Sequence, residues 1–151
     1  MDMSPAFSIS RLVQFGDTDM AGVLHHSNYF RLMEEVEHAF WRSLGRSVVH
    51  LDGETHVSWP RARVSCEYHA PARFEDMLTL RFRIMRLGEK SMQYEVEFDR
   101  GAARLALGKV TAVCCTMTHG RFQSVPIPEA LRALLKPHVV REGEREGTKE
   151  K

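Results

Sequence analysis

One change of hydrophobic period constrains this chain more than any other feature. Tyr29, Leu32, Met33, Val36, Phe40 and Leu44 recur three and four residues apart, which lines one face of an α-helix. Ser27 stands where an N-cap belongs and Gly45 falls just past the far end. Further along, the period drops to two. Leu78, Leu80, Phe82 and Ile84, then Met92, Tyr94, Val96 and Phe98, alternate with polar residues, so these strands have one buried and one wetter face. A helix with one apolar stripe and a run of half-buried strands must cover each other.

The strand-like segments run over 57–68, 77–87, 91–99 and 103–117, divided by the turn-like stretches HAPARFED, LGEK and DRGA. An earlier, partly alternating stretch over 7–15 reads as a first strand. An irregular stretch extends to Gly53, and 128–135 suits a short helix. The order gives an α+β fold, one long helix against a roughly five-stranded antiparallel sheet. The aliphatic and aromatic content of the strands predicts a sheet that pairs with a second copy. Residues 1–140 are expected to form the single domain, and 141–151, nearly all charged or Gly, a disordered tail.

Charge excludes some partners. With 21 Lys and Arg against 20 Asp and Glu, the net charge of +1 exerts no general pull on nucleic acid, so an anionic ligand must be held by a local cluster. No apolar run nears the ~20 residues that a membrane helix needs, and none of the opening residues form a signal-peptide core. Cys66, Cys114 and Cys115 lack CxxC spacing and read as buried thiols of a reducing, cytoplasmic setting.

The informative stretch is Phe15 to Tyr29, FGDTDMAGVLHHSNY. It brings two carboxylates, two adjacent histidines and two glycines to a helix start. Unbonded N–H groups at a helix N-terminus stabilise negative charge developing on a carbonyl oxygen. A carboxylate facing that carbonyl can attack it or deprotonate a water. Composition alone favours an Asp-rich turn with Asp17 or Asp19 capping local amides. Adjacent His25 and His26 do not have the spacing of metal ligands, and no cofactor is expected. Glu34, Glu35 and Glu37 read as a mostly solvated flank of the helix.

Taken as D-x-D-x-x-G-[VIL]-x-x-x-x-N-Y, the stretch from Asp17 to Tyr29 resembles the signature of the 4-hydroxybenzoyl-CoA thioesterase family and the related Tol–Pal-associated acyl-CoA thioesterases. The resemblance implies a hotdog fold, a long helix wrapped by an antiparallel sheet, with active sites at a homodimer interface, in a dimer or a pair of dimers. It implies acyl-CoA thioester hydrolysis, with Asp17 as nucleophile or general base. The amides around Leu24, His25 and His26 would be oxyanion donors, His26 a catalytic assistant, and Asn28 and Tyr29 pocket or loop-bracing residues. His25 departs from the family, where an aromatic residue is more usual. Asp19 is expected to hold loop amides. Trp59, in the segment that borders the acyl group in the family, is either a substrate contact or a packing residue. A second match, Arg86 with Lys90 and Ser91, implies a hairpin that grips the phosphates of CoA. Arg61 with Arg63, and Arg81 with Arg83, would each face one way and could extend that basic surface. An acyl-CoA hydratase or dehydratase, and a non-catalytic acyl-CoA-binding module, are the alternatives that this reading leaves.

Overall fold

A computed structural model describes residues 6–52 and 55–141. The elements are β1 (Phe7–Leu12), a 3₁₀ turn (Phe15–Asp17), α1 (Asn28–Ser43), β2 (His50–Asp52), β3 (Thr55–Ser58), β4 (Arg61–Tyr68), β5 (Met77–Leu87), β6 (Ser91–Arg100), β7 (Ala103–Val113), β8 (Cys115–Thr118), β9 (Arg121–Ser124) and α2 (Glu129–Leu135). Five strands form one antiparallel sheet in the order β1-β5-β6-β7-β4, and four short ones a second, β2-β3-β8-β9. The long helix lies on one face of the large sheet, so the hotdog arrangement is the fold. The expected tail lies outside the described residues apart from Arg141.

The helix forms where the period predicts and ends as its sequence dictates. Gly45 takes a positive φ of 73°, its N–H bonds the Arg42 carbonyl, and the Arg46 N–H bonds the Trp41 carbonyl, a Schellman closure. Tyr29, Leu32, Met33, Val36 and Phe40 are buried, against Leu78, Leu80, Phe82 and Ile84 of β5 and Met92, Tyr94, Val96 and Phe98 of β6. Gly108 lets helix and sheet approach closely, because a Cβ there would collide with the Met33 sulfur.

Two expected strands are each split. The segment 57–68 breaks at Trp59–Pro60, where proline has no N–H to donate. The segment 103–117 breaks opposite it at Cys114, and the Val113 N–H bonds the Pro60 carbonyl at 2.9 Å. Both chains therefore pass from the large sheet to the small one together. Residues 121–124, which carry no clear alternation, pair with β8 through a hairpin whose His119 and Gly120 both have positive φ, as a type I′ turn requires.

The outer face of the large sheet is not aliphatic. Arg81 and Arg104 both reach Asp99, and Arg83 and Arg104 both reach Glu97, forming a lattice of ion pairs. The aliphatic faces of the strands are turned to α1, so the outer face offers no aliphatic surface to a second copy. The reading of Glu37 as solvated is also corrected. Its side chain is fully buried, and Arg61 of β4 bonds it at 2.7 Å. The small sheet widens the buried arc of α1, so Glu37 and Trp41 go inside, the latter ring meeting His50 and Trp59. A β-bulge between Arg61 and Arg63 separates that pair. Arg61 turns to Glu37, while Arg63 lines a hollow on the outer face with Lys109 and Thr111.

Candidate active site

The loop from Phe15 to Ser27 is folded back on itself by its own polar groups. Asp17 ends the 3₁₀ turn, and its Oδ2 accepts the Gln14 N–H at 2.8 Å. Asp19 Oδ1 accepts the Ala21 N–H at 2.8 Å, and the Asp19 backbone pairs with Val23 and Gly22. Gly22 sits at φ 75° in this tight return. The Asp17 carbonyl then accepts two donors from the helix start, the His25 N–H at 3.0 Å and Asn28 Nδ2 at 2.8 Å. Asp17 is thereby held beside the first turn of α1 within one chain.

Arg11, on β1, reaches the Asp17 carboxylate with Nη1 at 2.8 Å and Nη2 at 3.3 Å. Burial alone would push the Asp17 carboxyl up. The hydrogen bonds from Arg11 and Gln14, with the charges of Arg11 and Arg31, outweigh it and hold the group below its ordinary range.

The expected oxyanion amides divide. The Leu24 N–H is spent on the Ala72 carbonyl at 2.7 Å and the His25 N–H on Asp17, so neither points out to a substrate. His26 is the one residue of the three whose N–H bonds no acceptor among the described residues. Ser27 does not cap the helix with its hydroxyl. Its Oγ and N–H both meet His25 Nδ1, at 2.7 and 3.2 Å. The His26 ring is exposed and stacks on His25, centroids 4.2 Å apart. Tyr29 is buried between Tyr68 and Phe98.

Other candidates lie far off. Trp59 is 2% exposed and packs on Trp41. It precedes the Arg61 end of β4, whereas Tyr68 at the opposite end bonds the His26 carbonyl. Within its own chain it is a core residue. Lys90 and Arg86 are exposed at the β5–β6 hairpin, and Ser91 folds its hydroxyl against Gly88. Arg132 of α2 fixes this hairpin by bonding the Gly88 and Glu89 carbonyls. Because Leu12 pairs with Met77, the hairpin lies a whole strand away from Asp17, roughly 30 Å at ~3.3 Å per residue. Of the strand arginines, Arg61, Arg81 and Arg83 are committed to carboxylates.

Two features escaped the sequence reading. Arg11 gave no periodic signal beyond its place on the inward face of β1. An open hollow of about 630 Å³ beside the loop is lined by Phe15, Met20 and Phe74 with Thr18, Asp19 and Gly22. Among the described residues no three His, Cys, Asp or Glu side chains gather as a metal site. No helix there is long and apolar enough to cross a membrane.

A long helix wrapped by a five-stranded antiparallel sheet is the hotdog arrangement. Residues 13–135 match the thioesterase-like superfamily, and the chain belongs to it, a family of thioester hydrolases. It is 27% identical over 137 residues to a 1,4-dihydroxy-2-naphthoyl-CoA hydrolase of Thermosynechococcus vestitus, covering 90% of this chain and 92% of that one. A thioesterase-superfamily structure from Jannaschia sp. superposes with a TM-score of 0.79 at 28% identity, over 92% of this chain and 98% of the other. The structure of a gentisyl-coenzyme A thioesterase gives 0.69 at 26% identity, over 85% and 98%.

Proposed function

We propose that this chain hydrolyses an acyl-CoA to the free acid and CoA, with Asp17 as the reacting carboxylate and the His26 N–H as an oxyanion donor. The observation that carries this is the double anchoring of the Asp17 carbonyl by His25 and Asn28, which keeps carboxylate and helix start in one rigid unit. In the general-base form, Asp17 takes a proton from water as the water oxygen bonds the carbonyl carbon. The C–S bond then breaks, and the leaving thiolate takes up that proton. In the nucleophilic form, Asp17 itself bonds the carbon as the C–S bond breaks and CoA thiolate leaves. Water then cleaves the anhydride, returning the Asp17 carboxylate and the free acid, and the thiolate takes up the released proton. Both need the carboxylate in the same place.

The Asp17–Tyr29 signature supports the 4-hydroxybenzoyl-CoA and Tol–Pal branch. An aromatic acyl group is supported by the names of two relatives, one a dihydroxynaphthoyl-CoA hydrolase and one a gentisyl-CoA thioesterase.

A homodimer through β4 accommodates these parts. That strand has a neighbour, β7, on one side only, and Val64 and Tyr68 on it are about half exposed. Two copies pairing antiparallel along this edge would set the Arg61 end of one against the Tyr68 end of the other. The rungs Arg61–Ala112, Ala112–Met92 and Met92–Leu87 put the Lys90 hairpin at the Arg61 end. The partner's hairpin would then approach the Asp17 site that the chain's own hairpin cannot reach.

Thiol release from hydroxyaroyl and aliphatic acyl-CoAs tests the activity. Asp17→Asn, near-isosteric but neither base nor comparable nucleophile, is expected to lower kcat by at least ~10²-fold with the fold intact. Near-normal turnover in that variant would overturn the assignment of Asp17.

A further inference from the structure

The Arg11 guanidinium joins two carboxylates from different elements. Beside its two contacts with Asp17, its Nε bonds Glu35 Oε2 of α1 at 2.8 Å and its Nη2 reaches Glu35 Oε1 at 3.3 Å. It also donates to the Leu12 carbonyl. A planar guanidinium offers donors along two edges in a fixed fork. Here one edge holds Asp17 and the other Glu35, so three elements meet at one cation: β1, the motif loop and α1.

The two Asp17 oxygens differ as a result. Oδ2 accepts Arg11 Nη1 and the Gln14 N–H, both at 2.8 Å, whereas among the described residues Oδ1 has only the 3.3 Å contact with Nη2. Oδ1 is the oxygen left with lone pairs for a proton or a carbonyl carbon. The side chains of Arg11 and Asp17 are 17% and 18% exposed, so this pair is far less screened than a surface ion pair.

We infer that Arg11 is the positioning residue of this site, fixing the Asp17 carboxylate through Oδ2 so that Oδ1 faces the substrate, with Glu35 as the anchor that orients Arg11. The inference rests on the reading of Asp17 as the reacting carboxylate. A group that must meet a carbonyl within a fraction of an ångström gains more from a fixed rotamer than it loses in basicity, since orientation governs the effective concentration of the attacking atom. The flanking Phe15 and Gly16 are exposed and cannot fix it by packing. The charges that act on Asp17 are Arg11 from β1 and Arg31 from α1, and Glu35 of α1 faces the other edge of Arg11.

The test is the pH dependence of kcat and KM for an aroyl-CoA, in the full chain, for Arg11→Met, Arg11→Lys, Glu35→Gln and Asp17→Asn. Arg11→Met is expected to lower kcat about 10- to 100-fold with KM almost unchanged. Its acid limb should move to higher pH, because the upward push of burial on Asp17 is then opposed only by the Gln14 N–H and the more remote charge of Arg31. Arg11→Lys should return the limb toward its original position, yet recover kcat only in part, since one ammonium cannot grip both carboxylates. Glu35→Gln should lower kcat by a smaller factor than Arg11→Met, because Arg11 keeps its bonds to Asp17 but loses its anchor on α1. Arg11→Met with unaltered kcat and limb overturns the inference. So does an increase in kcat, which would mean that Arg11 sequesters Asp17. If Arg11→Met does not fold, the Lys variant decides by the same two readouts and the Gln variant by kcat. Activity in Asp17→Asn would remove the reading of Asp17 itself, whereas an inactive Asp17→Asn beside a normal Arg11→Met removes only the role of Arg11.

Discussion

The Tyr68 hydroxyl donates to the His26 carbonyl across 2.9 Å, tying the edge strand β4 to the residue whose N–H bonds no acceptor among the described residues. Tyr68 also meets the buried ring of Tyr29 edge-on, centroids 4.9 Å apart. Strand and helix start therefore move together.

Tyr68→Phe keeps the ring contact and removes the hydrogen bond. About 0.5–1 kcal/mol of stability should be lost, the low part of the usual range, because the hydroxyl is accessible to water. Turnover should fall by about 3- to 10-fold with KM little changed, as His26 gains freedom. Thermal melting and steady-state kinetics on the same preparation check both.

The fold was legible in the sequence wherever one face met one partner. Leu78, Leu80, Phe82 and Ile84 alternate because α1 covers a single side of β5, and that pattern needs no knowledge of the other strands. Legibility failed where burial came from two directions. Glu37 sits four residues from both Met33 and Trp41, a spacing that places it on the inward side, but its charge reads as solvated until Arg61 arrives from 24 residues away. At the site, the motif located Asp17 beside the helix start. Which amides stay open could not be read, because Leu24 is silenced by Ala72, distant in sequence.

Glu37 should leave a mark on stability against pH. Burial, only partly offset by Arg61, pushes its carboxyl up from 4.5 to about 7. The folded state then holds a proton that the unfolded state has released between those values. This contribution is fully present below about 4.5 and is lost as pH rises through about 7, amounting to on the order of 3 kcal/mol. His38 and His50, kept neutral by burial, act in the opposite sense below 6.5, so the comparison must be differential. Denaturant unfolding at several pH values should show Glu37→Gln lacking the fall seen in the native chain between 4.5 and 7. Parallel curves would mean that Glu37 stays ionised throughout.

Val64→Lys tests the edge pairing. Val64 lies mid-strand on β4, on the helix side and 46% exposed. A lysine there is the kind of residue that blunts sheet edges. Light scattering at micromolar concentration should show a dimer for the native chain and a shift to monomer for the variant, with activity lost in step. A fully active monomer would contradict a site shared between subunits.

The last prediction concerns Lys90 and follows from the roughly 30 Å between its hairpin and Asp17 in one chain. If the hairpin holds CoA phosphates, Lys90→Ala should raise KM for acyl-CoA and leave kcat almost unchanged, since contacts remote from the carbonyl bind ground and transition states alike. A charge-assisted hydrogen bond of roughly 1.5–3 kcal/mol corresponds to about 10- to 150-fold, with the exposure of Lys90 favouring the low end. An acyl-pantetheine lacking the nucleotide should show no difference between native and variant chains. Subunit mixing then asks which chain supplies the lysine. A hybrid of one Asp17→Asn chain and one Lys90→Ala chain has one site with both groups intact if Lys90 serves its partner's Asp17. The other site has neither. If Lys90 serves its own chain, both sites are damaged. Mixing the two variants should therefore restore low-KM turnover that neither parent possesses. No restoration, with hybrids confirmed by mass, would place the hairpin outside the shared site.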